Sequence, residues 1–272
     1  MIGHSPARFG SPDSERRLLW TPLYEAVLTI LGSTGVIIPI GDTKHENAGR
    51  TTVTTVGEIA AVFTYSEALT AFDTPIALLG PARIPIVTFN GTDEEADSPD
   101  AAYWSRVAGV FSIGAWVNLA DATDSIILAK FDNAANTREW VFGFNGSDKL
   151  SLTLYDESES GNPTIDSQAD VAIVEDTWVF VVATYDGSAD ASGISIYQDG
   201  ILVTSTDTDD AGFVNLEDLG GTVKLGHVNA IPGSLFDGQM AGGPLGPFFV
   251  QAELSADTIL RLYQLGRAAE NV

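Results

Sequence analysis

Four carboxylate side chains occur within one short acidic segment. Glycoside hydrolases use a pair of carboxyl groups to cleave the glycosidic bond, so this segment is the first candidate for catalysis. The four residues are Asp93, Glu94, Glu95 and Asp97. Retaining hydrolysis needs two carboxyl groups about 5 Å apart, one of them kept protonated by its surroundings. Side chains in a turn are exposed to water, which would leave all four ionised. We therefore interpret the segment as a solvated acidic turn without a catalytic role.

Several other Asp residues in turn-like segments offer the oxygen ligands that calcium prefers. They are Asp132 with Asn133, Asp186, Asp199, and the run Asp207, Asp209 and Asp210. The run lacks the Glu that would close an EF-hand loop, and turns favour Asp-Gly pairs without any metal. The sequence therefore predicts no cofactor. Calcium is kept as an alternative, with no ligand residue assigned to it.

Aromatic and imidazole side chains are the next candidates for binding groups. Trp140 and Trp178 lie in strongly apolar strand patterns, which favours a place in the core. Tyr103 and Trp104 lie beside a polar segment and are the best candidates for glycan contact, although plain packing is the favoured interpretation of both residues. Of the three histidines, His227 alone lies in a strand pattern, where a structural role is predicted. Because no nucleophile elbow, phosphate loop or dinucleotide fingerprint occurs, we expect no enzyme.

The charge balance limits the class of partner. The 272 residues contain 37 acidic and 13 basic side chains, a formal net charge of -24. Such an excess argues against nucleic acid or an anionic membrane as a partner. There is no cysteine, so the chain has neither a disulfide framework nor a thiolate metal site. Arg16-Arg17 precede an apolar stretch that Pro22, Tyr24 and Glu25 interrupt, so we expect mature protein rather than a signal peptide.

These residues must be positioned by strands, because short apolar runs alternate with turn signals along most of the chain. Residues 177–203 hold two strands and a third that follows Asp199-Gly200, a pair suited to a type I′ turn. About a dozen such strands predict one all-β domain, an antiparallel β-sandwich of the jelly-roll type. One strand is predicted to turn Phe111, Ile113, Ala115, Val117 and Leu119 to a single face.

Short helices are predicted near both ends of this domain. Residues 21–31 have apolar side chains at three- and four-residue intervals. Residues 255–265 form the second helix, in which Ser255 is the N-cap and Gly266 follows the end. Residues 1–20 lack periodicity and carry Arg8, Arg16 and Arg17, so they are predicted to form an arm. Such an arm would fasten the acidic body, residues 21–272, to a neighbour.

Several segments in this order resemble laminin G-like, concanavalin A-like jelly-roll domains of the single-domain kind found in bacteriophage structural proteins. They are FNGTDEEADSPD, FSIGAWVNL, DTWVFVVATYDG, ISIYQDGILV, FDG and LSADTILRLYQLGR, and the resemblance covers roughly residues 21–267. It implies a concanavalin A-like jelly roll. Two departures occur: no acidic residue follows Phe236-Asp237-Gly238 closely, and Glu95 and Asp97 lack the third carboxylate of glucanase relatives.

The resemblance and the composition together lead to two functional hypotheses. The first is a non-enzymatic virion structural protein, a capsid decoration or tail component, whose arm binds other virion proteins or copies of itself. The alternative is a carbohydrate-binding, lectin-like module that recognises a host surface glycan. The first hypothesis places the protein in an extracellular virion particle, and the second makes it secreted or cell-surface.

Overall fold

The fold is an antiparallel β-sandwich with one α-helix near each end, as the sequence predicted. A computed structural model describes residues 12–70, 77–79, 82–107, 109–228 and 234–270. Helix α1 spans Pro12–Leu31 and helix α2 spans Ala256–Glu270. None of the helices in these ranges is long and apolar enough to span a membrane.

One sheet has ten strands, and we call it the covered sheet. Its strands are β1 (Gly35–Ile37), β3 (Val56–Gly57), β5 (Ala77–Leu79), β6 (Ile84–Asn90), β8 (Phe111–Asp121), β13 (Val179–Tyr185), β14 (Ile194–Gln198), β15 (Ile201–Leu202), β18 (Asp237–Ala241) and β19 (Phe248–Val250). The main path runs β15-β14-β13-β8-β18-β6-β5, and every pairing is antiparallel. In the turn between β14 and β15 both Asp199 and Gly200 have a positive φ, as a type I′ turn requires.

The other sheet has nine strands, and we call it the open sheet. Its strands are β2 (Thr52–Thr54), β4 (Val62–Tyr65), β7 (Ala96–Ser98), β9 (Ile126–Lys130), β10 (Trp140–Phe144), β11 (Leu150–Tyr155), β12 (Thr164–Ala169), β16 (Ser205–Asp209) and β17 (Val223–Leu225). Their order is β16-β12-β11-β10-β9-β17-β7-β4-β2. Non-consecutive neighbours such as β9, β17 and β7 bring residues together that are far apart in the sequence.

The covered sheet is buried on both of its faces. Every second residue of β8 from Phe111 to Leu119 belongs to the core between the sheets, as the alternating sequence pattern predicted. Trp116, on the opposite face of β8, belongs to a second apolar cluster with Phe180 and Val182 of β13. Helices α1 and α2 complete this second cluster with Trp20, Tyr24, Val27, Leu31, Ile259, Leu262 and Ala269. The result is three layers: helices, covered sheet and open sheet.

The open sheet has an outer face on which polar side chains reach solvent. Its strands β11 and β12 alternate between buried and half-buried residues, and β4 alternates between exposed and buried residues. A small apolar cluster with Ile126, Ala129 and Val141 covers the middle of this face. A ligand can therefore contact polar side chains on the polar parts of this outer face and in the loops at the ends of the sandwich.

Helix α1 begins earlier than predicted. It starts at Pro12 instead of residue 21 and continues through Pro22, so it crosses the predicted boundary between arm and domain. Proline is favoured in the first turn of a helix, because the N–H group that it lacks would have no hydrogen-bond partner within the helix there. The sequence therefore predicted a helix start next to Pro22, but Pro22 lies inside α1. Arg16 and Arg17 lie on this helix, in a part whose side chains are not described, and Arg8 lies outside the described residues. The anchoring role of these arginines stays a prediction.

Helix α2 ends later than predicted. Ser255 caps it, accepting a hydrogen bond from the Thr258 N–H at 3.3 Å, but the helix continues past Gly266 to Glu270. Gly266 is required by packing rather than by helix termination. A Cβ atom at this position would lie 2.4 Å from Nε1 of Trp116 on the covered sheet. Helix α2 can therefore approach β8 closely because residue 266 has no side chain.

We expect Gly266→Ala to lower the free energy of unfolding by about 1 to 2 kcal/mol, because the overlap with Trp116 costs more than the gain in helix propensity. Denaturant unfolding measures the difference. The control is Gln264→Ala, an exposed substitution on the same helix. For this control we expect a change of less than about 0.5 kcal/mol. A Gly266→Ala protein more stable than wild type would contradict this account of the helix contact.

A buried ion pair holds one end of the open sheet. Lys130 of β9 and Glu139, just before β10, are both 0% exposed and contact each other directly. Lys130 Nζ also lies 3.0 Å from Asp100 Oδ1, and Glu139 accepts a hydrogen bond from the Leu219 N–H at 2.8 Å. Burial raises the pKa of Glu139 to about 7, although Lys130 opposes this shift. The pair ties three loops to the strands.

Lys130→Met should destabilise the protein in a pH-dependent manner. At about pH 8 we expect a loss of about 3 kcal/mol, because the buried Glu139 must then either carry a charge without its cation or take up a proton that the unfolded chain does not bind. At about pH 5 the loss should be smaller, because Glu139 can then hold a proton. The sign follows from linkage: a carboxyl group whose folded pKa lies above its unfolded value destabilises the fold as pH rises between the two values.

Chemical unfolding at both pH values measures this effect. Lys149→Met, which removes a half-buried lysine from the turn before β11, serves as the matched control. An equal loss at both pH values for Lys130→Met would show that the charge of Glu139 is not the cause.

Candidate functional site

The two aromatic candidates for glycan contact, Tyr103 and Trp104, are buried, which agrees with the favoured interpretation that they pack in the protein interior. Trp104 is 0% exposed and its ring packs against Phe63 and Phe249 at centroid distances of 6.0 and 5.5 Å. Tyr103 is 8% exposed, and its hydroxyl lies 2.6 Å from the carbonyl oxygen of Thr34. Their loop folds over the end of the core, which leaves no ring face for a sugar. Trp140 is buried as predicted, and Trp178 is partly buried.

The Asp residues considered for calcium mostly serve turns and strand ends. Asp199 accepts a hydrogen bond from Phe180 N at 3.0 Å, Asp186 from Ser188 N at 2.8 Å, and Asp132 from Ala134 N at 2.9 Å. Asp209 accepts one from Ala191 N at 2.6 Å, and Asp210 from Thr164 N at 3.0 Å. These backbone hydrogen bonds explain the Asp residues at these positions without a metal.

A different group of carboxylates comes together at one end of the sandwich. Asp121, Asp148 and Glu175 each place an oxygen within 4.8 Å of the others, the only such group among the described residues. Each accepts a hydrogen bond from residue 122 or 123: Asp121 from Thr123 N, Asp148 from Thr123 Oγ1 and Glu175 from Ala122 N, at 2.9 to 3.0 Å. Three carboxylates could supply oxygen ligands to Ca²⁺. The hydrogen bonds hold them together without an ion, so we assign no metal site here.

A second cluster joins four charged side chains on the outer face of the open sheet, and we call it the His227 cluster. Its members are Glu95, Asp97, Lys224 and His227. Strands β7 and β17 are neighbours, with Asp97 opposite Lys224. Strict alternation from Lys224 would place His227 on the other face, but Gly226 has a positive φ, which interrupts the strand pattern. His227 therefore reaches the same face as Lys224.

His227 lies between the two carboxylates and contacts both. Its Nδ1 is 2.8 Å from Oε2 of Glu95, and its Nε2 is 2.6 Å from Oδ1 of Asp97. Lys224 Nζ lies 3.4 Å from the other oxygen of Asp97. A histidine that donates from both ring nitrogens is doubly protonated. The arrangement is therefore an imidazolium held between two carboxylates, with a lysine beside one of them.

Burial and hydrogen bonding act in opposite directions on these groups. Burial by itself lowers the pKa of His227, but the hydrogen bonds and charges of Asp97 and Glu95 outweigh it, so this pKa is raised. Burial would raise the pKa of Asp97, yet His227 and Lys224 bring it below its ordinary value. His227 is 4% and Lys224 1% exposed, whereas the side chains of Glu95 and Asp97 are 31% and 42% exposed. Solvent therefore meets the carboxylates and not the cations.

This arrangement suits hydrogen-bond acceptance better than catalysis. A retaining glycosidase needs one protonated carboxyl group, but here both carboxylates accept hydrogen bonds from the same imidazolium. A single metal ion could not use both ring nitrogens, since they point to opposite sides of the ring. What remains is a pair of fixed, half-exposed acceptors that ligand hydroxyl groups can approach.

The sequence pattern singles out three members of the cluster but does not indicate that they lie together. This pattern indicates a solvated turn for the segment with Glu95 and Asp97, and a structural role for His227. The burial and hydrogen bonds of His227 agree with its structural role. The solvated turn is wrong for part of the segment, because Asp97 lies on strand β7 and Glu94 is 2% exposed. The pattern does not single out Lys224. Asp97 and His227 are separated by 130 positions and become neighbours only because β17 inserts between β9 and β7. The sequence did contain one signal of a polar cluster, namely two charged residues, Lys224 and His227, in an otherwise apolar strand pattern.

Comparison with solved structures shows the same fold in binding domains of other proteins. The binding domain of Paraclostridial Mosquitocidal Protein 1 superimposes with a TM-score of 0.57 at 10% identity, over 84% of this chain and 52% of that chain. Domain 4 of AbnA, an extracellular arabinanase from Geobacillus stearothermophilus, was solved with arabinotriose. It gives a TM-score of 0.55 at 14% identity, over 85% of this chain and 98% of the domain.

A third similar structure comes from botulinum neurotoxin type C, whose cell entry depends on interaction with two ganglioside molecules. It has a TM-score of 0.53 at 14% identity, over 85% of this chain and 51% of that chain. The chain thus spans about half the length of the two toxin chains. At such low identity these similarities establish the fold alone. No curated protein sequence matches the chain.

The sequence profile of one family, Laminin_G_3, matches residues 90–242, more than half of the chain. The matched region includes β8, β13 and the His227 cluster, and the two-sheet architecture agrees with it. The chain therefore belongs to the Concanavalin A-like lectin/glucanases superfamily.

Proposed function

We propose that this protein is a non-catalytic, glycan-binding module and that the His227 cluster is its binding site. The proposal is carried by one observation: two carboxylates, half-exposed on the open sheet, are held in place by a buried imidazolium. Sugars present several hydroxyl groups in a fixed arrangement, and fixed acceptors lose little conformational entropy when they bind such groups. Similar jelly rolls include a domain solved with arabinotriose, which supports a sugar as the ligand.

Glu95→Gln and Asp97→Asn should each weaken glycan binding by about tenfold or more, because each replaces a charged acceptor with a weaker neutral one. Glycan-array screening identifies the ligand, and isothermal titration calorimetry measures the affinity of each variant. Asp207→Asn removes the same charge from β16, an exposed edge strand of the same sheet, and should leave the affinity unchanged. Thermal unfolding of every variant checks that the fold is intact.

Two results would count against the proposal. An array with no bound glycan for the wild-type protein would remove its basis, and equal affinities for Asp97→Asn and wild type would place the site elsewhere. Release of reducing sugar from a bound oligosaccharide would instead show that the protein is an enzyme.

A second candidate function is that of a virion component, a capsid decoration or tail protein, fastened to acidic neighbours by its N-terminal segment. The observation that favours it is the contrast between Arg8, Arg16 and Arg17 near the N-terminus and a chain of net charge -24. Other virion proteins or copies of this chain would then be its partners, in an extracellular particle. This role is compatible with glycan binding, since the two would use different parts of the chain.

Deletion of residues 1–11 tests the anchoring role. The deletion must stop before helix α1, because Trp20 is 7% exposed and its Nε1 donates a hydrogen bond to the Ala82 carbonyl at 2.8 Å. We expect the shortened protein to unfold as wild type does but to lose co-sedimentation with its particle. Arg8→Glu in the full chain is a milder variant that should weaken attachment, with a salt dependence smaller than that of wild type. Unchanged attachment of the shortened protein would rule out anchoring by residues 1–11.

A further inference from the structure

We infer that the His227 cluster selects uncharged, hydroxyl-rich glycans over acidic ones, and that protonated His227 is the positioning residue that keeps the site competent. This inference rests on the proposed glycan-binding function and adds the ligand class and the proton dependence of the same site. Two observations support it: the exposed groups of the cluster are the carboxylates, and both ring nitrogens of His227 contact a carboxylate oxygen.

The preference for neutral glycans follows from the exposure of the charged groups, because a ligand can reach the carboxylates of the cluster but not its cations. The exposed groups are the carboxylates of Glu95 and Asp97, which only accept hydrogen bonds. Lys224 and His227 are 1% and 4% exposed, so neither cation is available to an acidic sugar. A carboxylated or sulfated glycan would meet two like charges here, on a chain of net charge -24. Hydroxyl groups of a neutral glycan can donate to both carboxylates without such repulsion.

The described residues of the neighbouring strands offer no compensating cation beside the cluster. The outward residues of β2 and β4, next to β7, are Thr52, Thr54, Val62 and Thr64. On the other side, β17 is followed by β9, whose Ala129 lies opposite Lys224. Among these described strand residues, an acidic ligand therefore meets no exposed counter-charge.

The proton dependence follows from the geometry of His227. Both nitrogens lie within 2.8 Å of carboxylate oxygens. If the ring loses a proton, one nitrogen exposes a lone pair to a carboxylate at hydrogen-bond distance, and that carboxylate must move away. The titratable or charged groups that face the ring are Glu95 and Asp97, with Lys224 beside Asp97. Glycan affinity should therefore be high below the pKa of His227 and fall as pH rises through it.

The effect on stability has the same sign. The pKa of His227 is raised in the folded protein, so its contribution to stability is fully present below the unfolded value of about 6.5. This contribution is lost as pH rises through the folded value. A change in stability and a change in glycan affinity should therefore occur in the same pH window if one proton controls both.

The test measures binding by calorimetry between about pH 6 and about pH 9. The probes are arabinotriose and lactose, with sialyllactose as the acid-bearing counterpart of lactose, and the strongest neutral binder from the array. We expect the affinity of the neutral binder to fall about tenfold or more over this range, and sialyllactose to bind more weakly than lactose at every pH. His227→Gln should bind weakly at all pH values and lose the pH dependence.

His45→Gln is the matched control, since it replaces another partly buried histidine beside a carboxylate, Asp42, away from the cluster. It should keep the pH dependence of wild type. Binding of a neutral glycan with no pH dependence, or stronger binding of sialyllactose than of lactose, would overturn the inference while leaving glycan binding intact. Absence of binding to any probe would instead overturn the proposed function and the inference with it.

Discussion

Burial of the covered sheet on both faces is the constraint on which the rest of the structure depends. Strand β13 is buried at all seven positions, and β8 at its first seven. One face packs on the open sheet and the other on helices α1 and α2. Burial of so many large apolar side chains is the main stabilising contribution in a chain without disulfides. It also leaves the outer face of the open sheet as the sheet surface that can meet a ligand.

The scarcity of cations gives the buried ones particular importance. Lys130 and Lys224 are at most 1% exposed, although lysine is rarely buried without a partner. Lys130 lies against Asp100 and Glu139, whereas Lys224 and His227 share Asp97 and His227 also contacts a second carboxylate. The surface keeps a large excess of acidic groups, because 37 acidic side chains stand against 13 basic ones in the chain. The acidic surface limits both the charge of a ligand and the kind of neighbour that the chain can bind.

The fold that this chain shares with other proteins does not determine its function. Proteins with this sandwich at 10 to 14% identity include toxin binding domains and a domain of an arabinanase. Such jelly rolls share the buried sheets, which fix the architecture, but their exposed residues can differ completely. The function proposed for this chain therefore depends on Glu95, Asp97 and His227. The fold supplies a rigid sheet on which these side chains keep their positions.

Local sequence patterns were sufficient to predict the architecture of this protein. Alternation in residues 111–119, the Asp199-Gly200 turn and the Ser255 cap were sufficient because each depends on contacts between near neighbours in the chain. The location of the candidate site could not be predicted from such patterns. Asp97 and His227 are 130 positions apart, and strand order, the positive φ of Gly226 and burial of Trp104 result from long-range packing. Local sequence patterns indicate which face of a strand is apolar, but they do not indicate which distant strand will lie beside it.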